Sequence, residues 1–77
     1  MTHVMVLPEL GETIEEAEVQ EWMVGIDDEV EDGEPILIMQ TDKAALEINA
    51  TASGRLSKMI VSIGQFVKVG EPVAEIE

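Results

Sequence analysis

Val24-Gly25-Ile26-Asp27-Asp28-Glu29-Val30-Glu31-Asp32-Gly33-Glu34-Pro35-Ile36 returns 37 positions later as Val61-Ser62-Ile63-Gly64-Gln65-Phe66-Val67-Lys68-Val69-Gly70-Glu71-Pro72-Val73. Val24, Ile26, Val30, Gly33, Glu34 and Pro35 recur identically. Val19, Trp22 and Ile36 match Leu56, Met59 and Val73 in apolar character, and Ala17 and Gly54 are both small. With 77 residues, neither half can bury an apolar face alone, so the two must pack on each other. This predicts a pseudo-twofold arrangement of short strands within one domain covering residues 1–77.

The strands follow from the punctuation. Each Gly-Glu-Pro leads into an apolar run, with Gly supplying the turn and Pro opening the strand where its missing N–H costs least. The expected strands are Val4–Leu7, Ile14–Val24, Ile36–Thr41, Ala44–Ile48, Arg55–Val61 and Val73–Glu77. Val19 and Trp22 cannot face one side of a regular strand, and the second copy slips at the same place, between Leu56 and Met59. The repeated slip predicts a bulge or bend where the strand passes from one sheet to another. No segment has helical periodicity. The fold class is all-β: a flattened barrel or sandwich of two roughly four-stranded sheets. The core is expected to be mostly aliphatic, with Met5, Met23, Met39 and Met59 as filler and Trp22 half-buried, its N–H seeking a partner.

Composition narrows the function. The net charge of −13 leaves no basic stripe for nucleic acid and opposes an anionic membrane surface. No apolar run reaches the roughly 18–20 residues of a membrane span. No signal or transit pattern opens the chain, so the cytoplasm is the default, or the mitochondrial matrix if a presequence has been removed. With no Cys there is neither a disulfide nor a thiolate metal site. The acidic run Asp27–Gly33 lacks EF-hand spacing and reads as a solvated face that could steer basic partners. The only His, His3, has no nucleophile or carboxylate arrangement around it, so no autonomous catalysis is expected.

What remains is a lysine. Lys43 is the first basic residue in the chain, set in Gln40-Thr41-Asp42-Lys43-Ala44 between two strands. Neither Asp42 nor Lys43 is Gly, so a type I turn is expected, with Asp42 in the more strained place. Moving 37 positions from Lys43 in either direction reaches the two chain ends. A twofold therefore puts this tip opposite the termini. Lys58 and Lys68 occupy no hairpin tip and serve as internal controls.

These residues resemble the lipoyl domain of the dihydrolipoyl acyltransferase (E2) of 2-oxo acid dehydrogenase complexes. Leu7-Pro8-Glu9-Leu10-Gly11-Glu12 is similar to the family's opening segment and Glu21-Trp22 to its Glu-Trp pair. Thr41-Asp42-Lys43-Ala44 is similar to the signature around the lipoylated lysine, and Ser53-Gly54 with Val67–Pro72 to the second half. Gln40, Asp27, Ala17 and Asn49-Ala50-Thr51 depart from the pattern and put subtype, not class, in doubt. The resemblance implies lipoic acid joined by an amide to Lys43. The arm would take an acyl group from a thiamine-dependent E1, deliver it to coenzyme A at an E2 catalytic core, and be reoxidised by a flavin-dependent E3. A lipoate ligase or lipoyl transferase would load it. Asp42, Ala44 and Thr41 are implied as recognition residues, with Glu9, Gly11 and Glu12 in a neighbouring loop, and Gly11 is expected at φ > 0. The isolated domain is expected to be a monomer and part of a longer chain. Two alternatives stay open: a biotin carrier, whose Met-Lys-Met is replaced here by Asp42-Lys43-Ala44, and a non-carrier β-sandwich interaction module.

Overall fold

A computed structural model describes residues 2–11 and 14–77. Eight strands form: β1 (His3–Val6), β2 (Glu16–Trp22), β3 (Glu29–Val30), β4 (Pro35–Gln40), β5 (Ala45–Asn49), β6 (Gly54–Met59), β7 (Phe66–Lys68) and β8 (Pro72–Ile76). They make two antiparallel four-stranded sheets, in the orders β1-β8-β6-β3 and β5-β4-β2-β7. The six expected strands are present with ends moved by a residue or two. β3 and β7 were not expected; at two and three residues they are too short to show a period.

The repeat is a true structural twofold. β2, β3 and β4 correspond to β6, β7 and β8, and the edge strand β5 corresponds to β1, which exchanges the two sheet orders. Even the irregularities correspond. The β2–β4 ladder shifts between Val19 and Glu21, and the β6–β8 ladder between Leu56 and Lys58. The slip is thus a bulge, as the sequence indicated. It does not carry the strand into the other sheet: β2 stays paired to β4 as far as Trp22. The extra residue instead lets Val19 and Trp22 both turn inward. Trp22 is half-buried, and its Nε1–H donates to the Val61 carbonyl at 3.2 Å, tying one sheet to the other.

Between the sheets lies an aliphatic core that includes Met5, Leu7, Val19, Ile36, Leu37, Met39, Ile48, Leu56, Val73 and Ile76. Met59 packs against its margin, whereas Met23 is 44% exposed and is not core filler.

Nearly every connection passes from one sheet to the other. The exception is β4 to β5, the only consecutive strands that pair with each other among those described. Lys43 therefore sits on the one hairpin among the described residues. At the far end of β5, Thr51 Oγ1 meets His3 Nε2 at 2.8 Å, and His3 pairs with Ile76. The domain, 33 Å long, thus has a lysine end and, opposite it, an end where the chain enters and leaves.

Candidate functional site

The tip is a four-residue loop, Thr41–Ala44, rather than the two residues expected from the sequence. Thr41 holds it together. Its backbone N–H donates to the Ala44 carbonyl at 2.9 Å, continuing the ladder by one bond. Its hydroxyl donates to the same carbonyl at 2.9 Å and accepts the N–H groups of Lys43 at 3.2 Å and Ala44 at 3.1 Å. A serine or threonine hydroxyl can satisfy amides two and three residues on, and that is what organises this turn. Thr41 is 7% exposed, the one buried polar residue among those described. The side-chain amide of Gln40 donates to the Thr41 carbonyl at 2.9 Å, closing the loop from the strand side.

Neither Asp42 nor Lys43 has a positive φ, which excludes the primed hairpin turns. The strain expected at Asp42 is not there. It lies at Asp27, whose φ is 73°, the only non-glycine with positive φ among the described residues. Its twofold mate is Gly64, at 91°.

Asp42, Lys43 and Ala44 are all exposed, and no ion pair among the described residues involves Lys43. The lysine is thus exposed on a turn held by Thr41, with no ion pair among the described residues to be broken before its amine is acylated. That is the fit an amide-linked prosthetic group requires. Lys58 lies in β6 and Lys68 closes β7, each flanked by paired backbone.

Of the other candidates, Gly11 adopts φ 153°, as expected of a glycine-only position, and its carbonyl accepts the N–H of Ile14 at 3.2 Å. Ile14 shares a groove with Thr41 and Asp42, which places Ile14 at the lysine end. Glu9 is exposed and its side chain makes no hydrogen bond or ion pair among the described residues, and Glu12 lies outside the described residues. The groove, about 460 Å³, is also bordered by Glu18, Gln40 and Phe66. Neither Phe66 nor Ile14 carries a sequence signal that separates it from a core residue. Thr41 could have been read as a turn clamp from its place two and three residues ahead of Lys43 and Ala44.

The family model described as biotin-requiring enzyme matches residues 3–76. The chain belongs to the biotin/lipoyl family. Its relatives include the succinyltransferase component of the 2-oxoglutarate dehydrogenase complex of Rickettsia typhi, 39% identical over 94% of this chain and 18% of that one. The lipoamide acyltransferase component of the branched-chain alpha-keto acid dehydrogenase complex of Bacillus subtilis is 33% identical over 95% of this chain and 17% of that one. This lipoyl domain spans under a fifth of the length of those relatives. The solution structure of the lipoyl domain of the Azotobacter vinelandii 2-oxoglutarate dehydrogenase complex superposes with a TM-score of 0.73 at 26% identity, over 96% of this chain and 94% of that one. Kluyveromyces lactis urea carboxylase superposes with a TM-score of 0.84 at 22% identity, over all of this chain and 6% of that one, a likeness of fold. Lipoyl domains of the E2 type, of which this is one, carry lipoic acid covalently on a lysine.

Proposed function

We propose that Lys43 carries the lipoyl group and that the domain is the mobile carrier of a longer E2 acyltransferase chain. The observation that carries this reading is the placement of Lys43. It is an exposed amine on the one hairpin, on a turn fixed by Thr41, at the end remote from both chain ends. When bound, the lipoyl group supplies a dithiolane able to take up acyl groups and electrons.

The polypeptide does the rest. β4 and β5 hold the attachment point at a constant position. Thr41 and Gln40 keep the turn rigid, so a loading enzyme meets one presentation of the lysine and not an ensemble. Ala44 leaves space on one side of the amine, and Asp42 marks the other. Acylation removes the ammonium charge and extends a flexible four-carbon stem. Attachment through the chain ends, at the opposite pole, leaves the arm clear of the tether.

The partners follow from the same reading: a thiamine-dependent E1, an E2 catalytic core, a flavin-dependent E3 and a lipoate ligase or lipoyl transferase. The substrate class is a 2-oxo acid, since the relatives belong to 2-oxoglutarate and branched-chain complexes. A surface of net charge −13 favours partners with basic docking faces, with association that slows as salt rises.

Intact mass before and after incubation with lipoate, ATP and a lipoate ligase tests the assignment. Wild type gains one lipoyl increment and Lys43→Arg gains none, with Lys58 and Lys68 unmodified in both. A folded wild type that gains nothing, or a Lys43→Arg variant that is still loaded, overturns it.

A further inference from the structure

The twofold shows what the fold demands at each position, because every position of the repeat has a mate at the other end. Phe66, the first residue of β7, is 62% exposed and stands in register with Glu18 of β2. Its mate is Glu29, the first residue of β3, in register with Arg55 of β6. Val69, also partly exposed, has Asp32 as its mate. At the far end the same backbone sites hold carboxylates. An exposed aromatic at the lysine end is therefore not something the fold needs. Water disfavours such a ring, and it gains nothing from the core.

Phe66 does border something. It forms one wall of the groove of about 460 Å³ whose other borders include Ile14, Glu18, Gln40, Thr41 and Asp42. The groove begins beside Lys43, at Thr41 and Asp42. From β4 to β7 is two strand spacings, about 10 Å, which the combined length of a lysine side chain and a lipoyl chain exceeds. The arm offers methylenes and two sulfurs, and sulfur packs favourably against aromatic rings. It is neutral once the amine is acylated, so the four carboxylates on the groove's border, Glu15, Glu16, Glu18 and Asp42, do not repel it by charge. Because the arm is tethered beside the groove, weak contacts suffice: tethering gives effective concentrations on the order of millimolar.

We propose that this groove is a resting seat for the loaded arm, in which the lipoyl chain folds back over Thr41 and Asp42 and its dithiolane ring packs against Phe66 and Ile14. The seat rests on the assignment of Lys43 above. It keeps the ring on its own platform between encounters and gives it up to a partner without any covalent change. Phe66, Ile14 and Gln40 then become residues that set how often the arm is free.

The test is nuclear magnetic resonance on the same protein with and without the lipoyl group, with intact mass recorded on each sample. The expected result is movement of the Phe66 ring and Ile14 methyl signals on loading, with cross-relaxation between dithiolane methylenes and the Phe66 ring. Phe66→Gln, which is polar like the mate position and adds no charge opposite Glu18, is expected to lose both while its mass still shows one lipoyl group and its amide spectrum stays folded. Phe66→Leu keeps the Ile14 shift. A fully loaded wild type whose shifts stop at the hairpin overturns the seat and leaves the carrier reading standing. Phe66 shifts that appear only when an E1 protein is added also overturn it, by giving the patch to a partner. No lipoyl increment by mass overturns both readings, and the mass spectrum distinguishes that failure from the others.

Discussion

The two ends of this domain are built from matching strands and have been finished in opposite ways. Where the chain enters and leaves, the end is sealed. Gly54 lies so close to Glu77 that a Cβ would stand 2.3 Å from its carbonyl oxygen. Arg55 pairs with Asp27 and, at 3.5 Å, with Glu77. At the lysine end the mates of Gly54 and Arg55 are Ala17 and Glu18. There the backbone has room for a methyl, no ion pair forms among the described residues, and a groove opens between Glu18, Gln40 and Phe66. The fold thus supplies two equivalent poles, and side chains alone decide which is closed and which is available.

The comparison can be broken first at its tightest point. Gly54→Ala forces a Cβ into the Glu77 backbone at a φ of 153°, combining overpacking with backbone strain. It should cost about 2–4 kcal/mol, read from urea unfolding. Ala17→Gly, which makes the lysine end match, should cost only about 0.5–1 kcal/mol.

The next effect is local. Thr41→Val removes the hydroxyl that bonds Lys43 and Ala44, and should cost about 1–2 kcal/mol. Amide exchange at Lys43 and Ala44 should speed up, and lipoylation should slow with Lys43 still in place. Thr41→Ser, which keeps the hydroxyl, should restore both. If Thr41→Val exchanges and loads like wild type, the clamp is not what organises the tip.

Asp27 sharpens the contrast with Gly64. A β-branched residue is poorly tolerated at φ 73°, so Asp27→Val should lose about 1–2 kcal/mol, near 4–8 °C in melting temperature for each kcal/mol in a domain of this size. Gly64→Val, at φ 91° and with open space around its would-be Cβ, should lose more, because glycine carries no strain at that angle to begin with. A loss at Asp27 that equals or exceeds the loss at Gly64 would mean that the exposed Asp27–Arg55 pair contributes beyond the small value expected of a surface ion pair. The smallest stability effect belongs to Phe66→Gln, within about 0.5 kcal/mol, because the mate position carries a polar side chain on the same backbone site and a neutral one adds no like charge opposite Glu18.

The sequence made the larger part of this legible, for identifiable reasons. Identical Gly-Glu-Pro triplets and apolar positions at one spacing are the direct imprint of the twofold, so the two sheets and the remote lysine tip could be read from them. The bulge was visible because Val19 and Trp22 break a two-residue period in both copies. β3 and β7 were not visible: a strand of two or three residues is defined by its partner, not by its own pattern. Nor could pattern reveal that Met23 and Phe66 face water, since an apolar residue in an apolar run looks buried until its neighbours are placed. Turn strain was assigned to Asp42 for want of the hydroxyl geometry of Thr41, which lets the tip close with ordinary backbone angles.

The β4–β5 hairpin has as its counterpart the meeting of β8 and β1, where Ile76 faces His3 across an open gap in the chain. The molecule is, in effect, a ring cut once. Sewing Glu77 to Thr2 with a short turn and opening the ring elsewhere would create a second hairpin at the opposite pole. A Thr-Asp-Lys-Ala turn placed there would give a circular permutant with two attachment points facing in opposite directions.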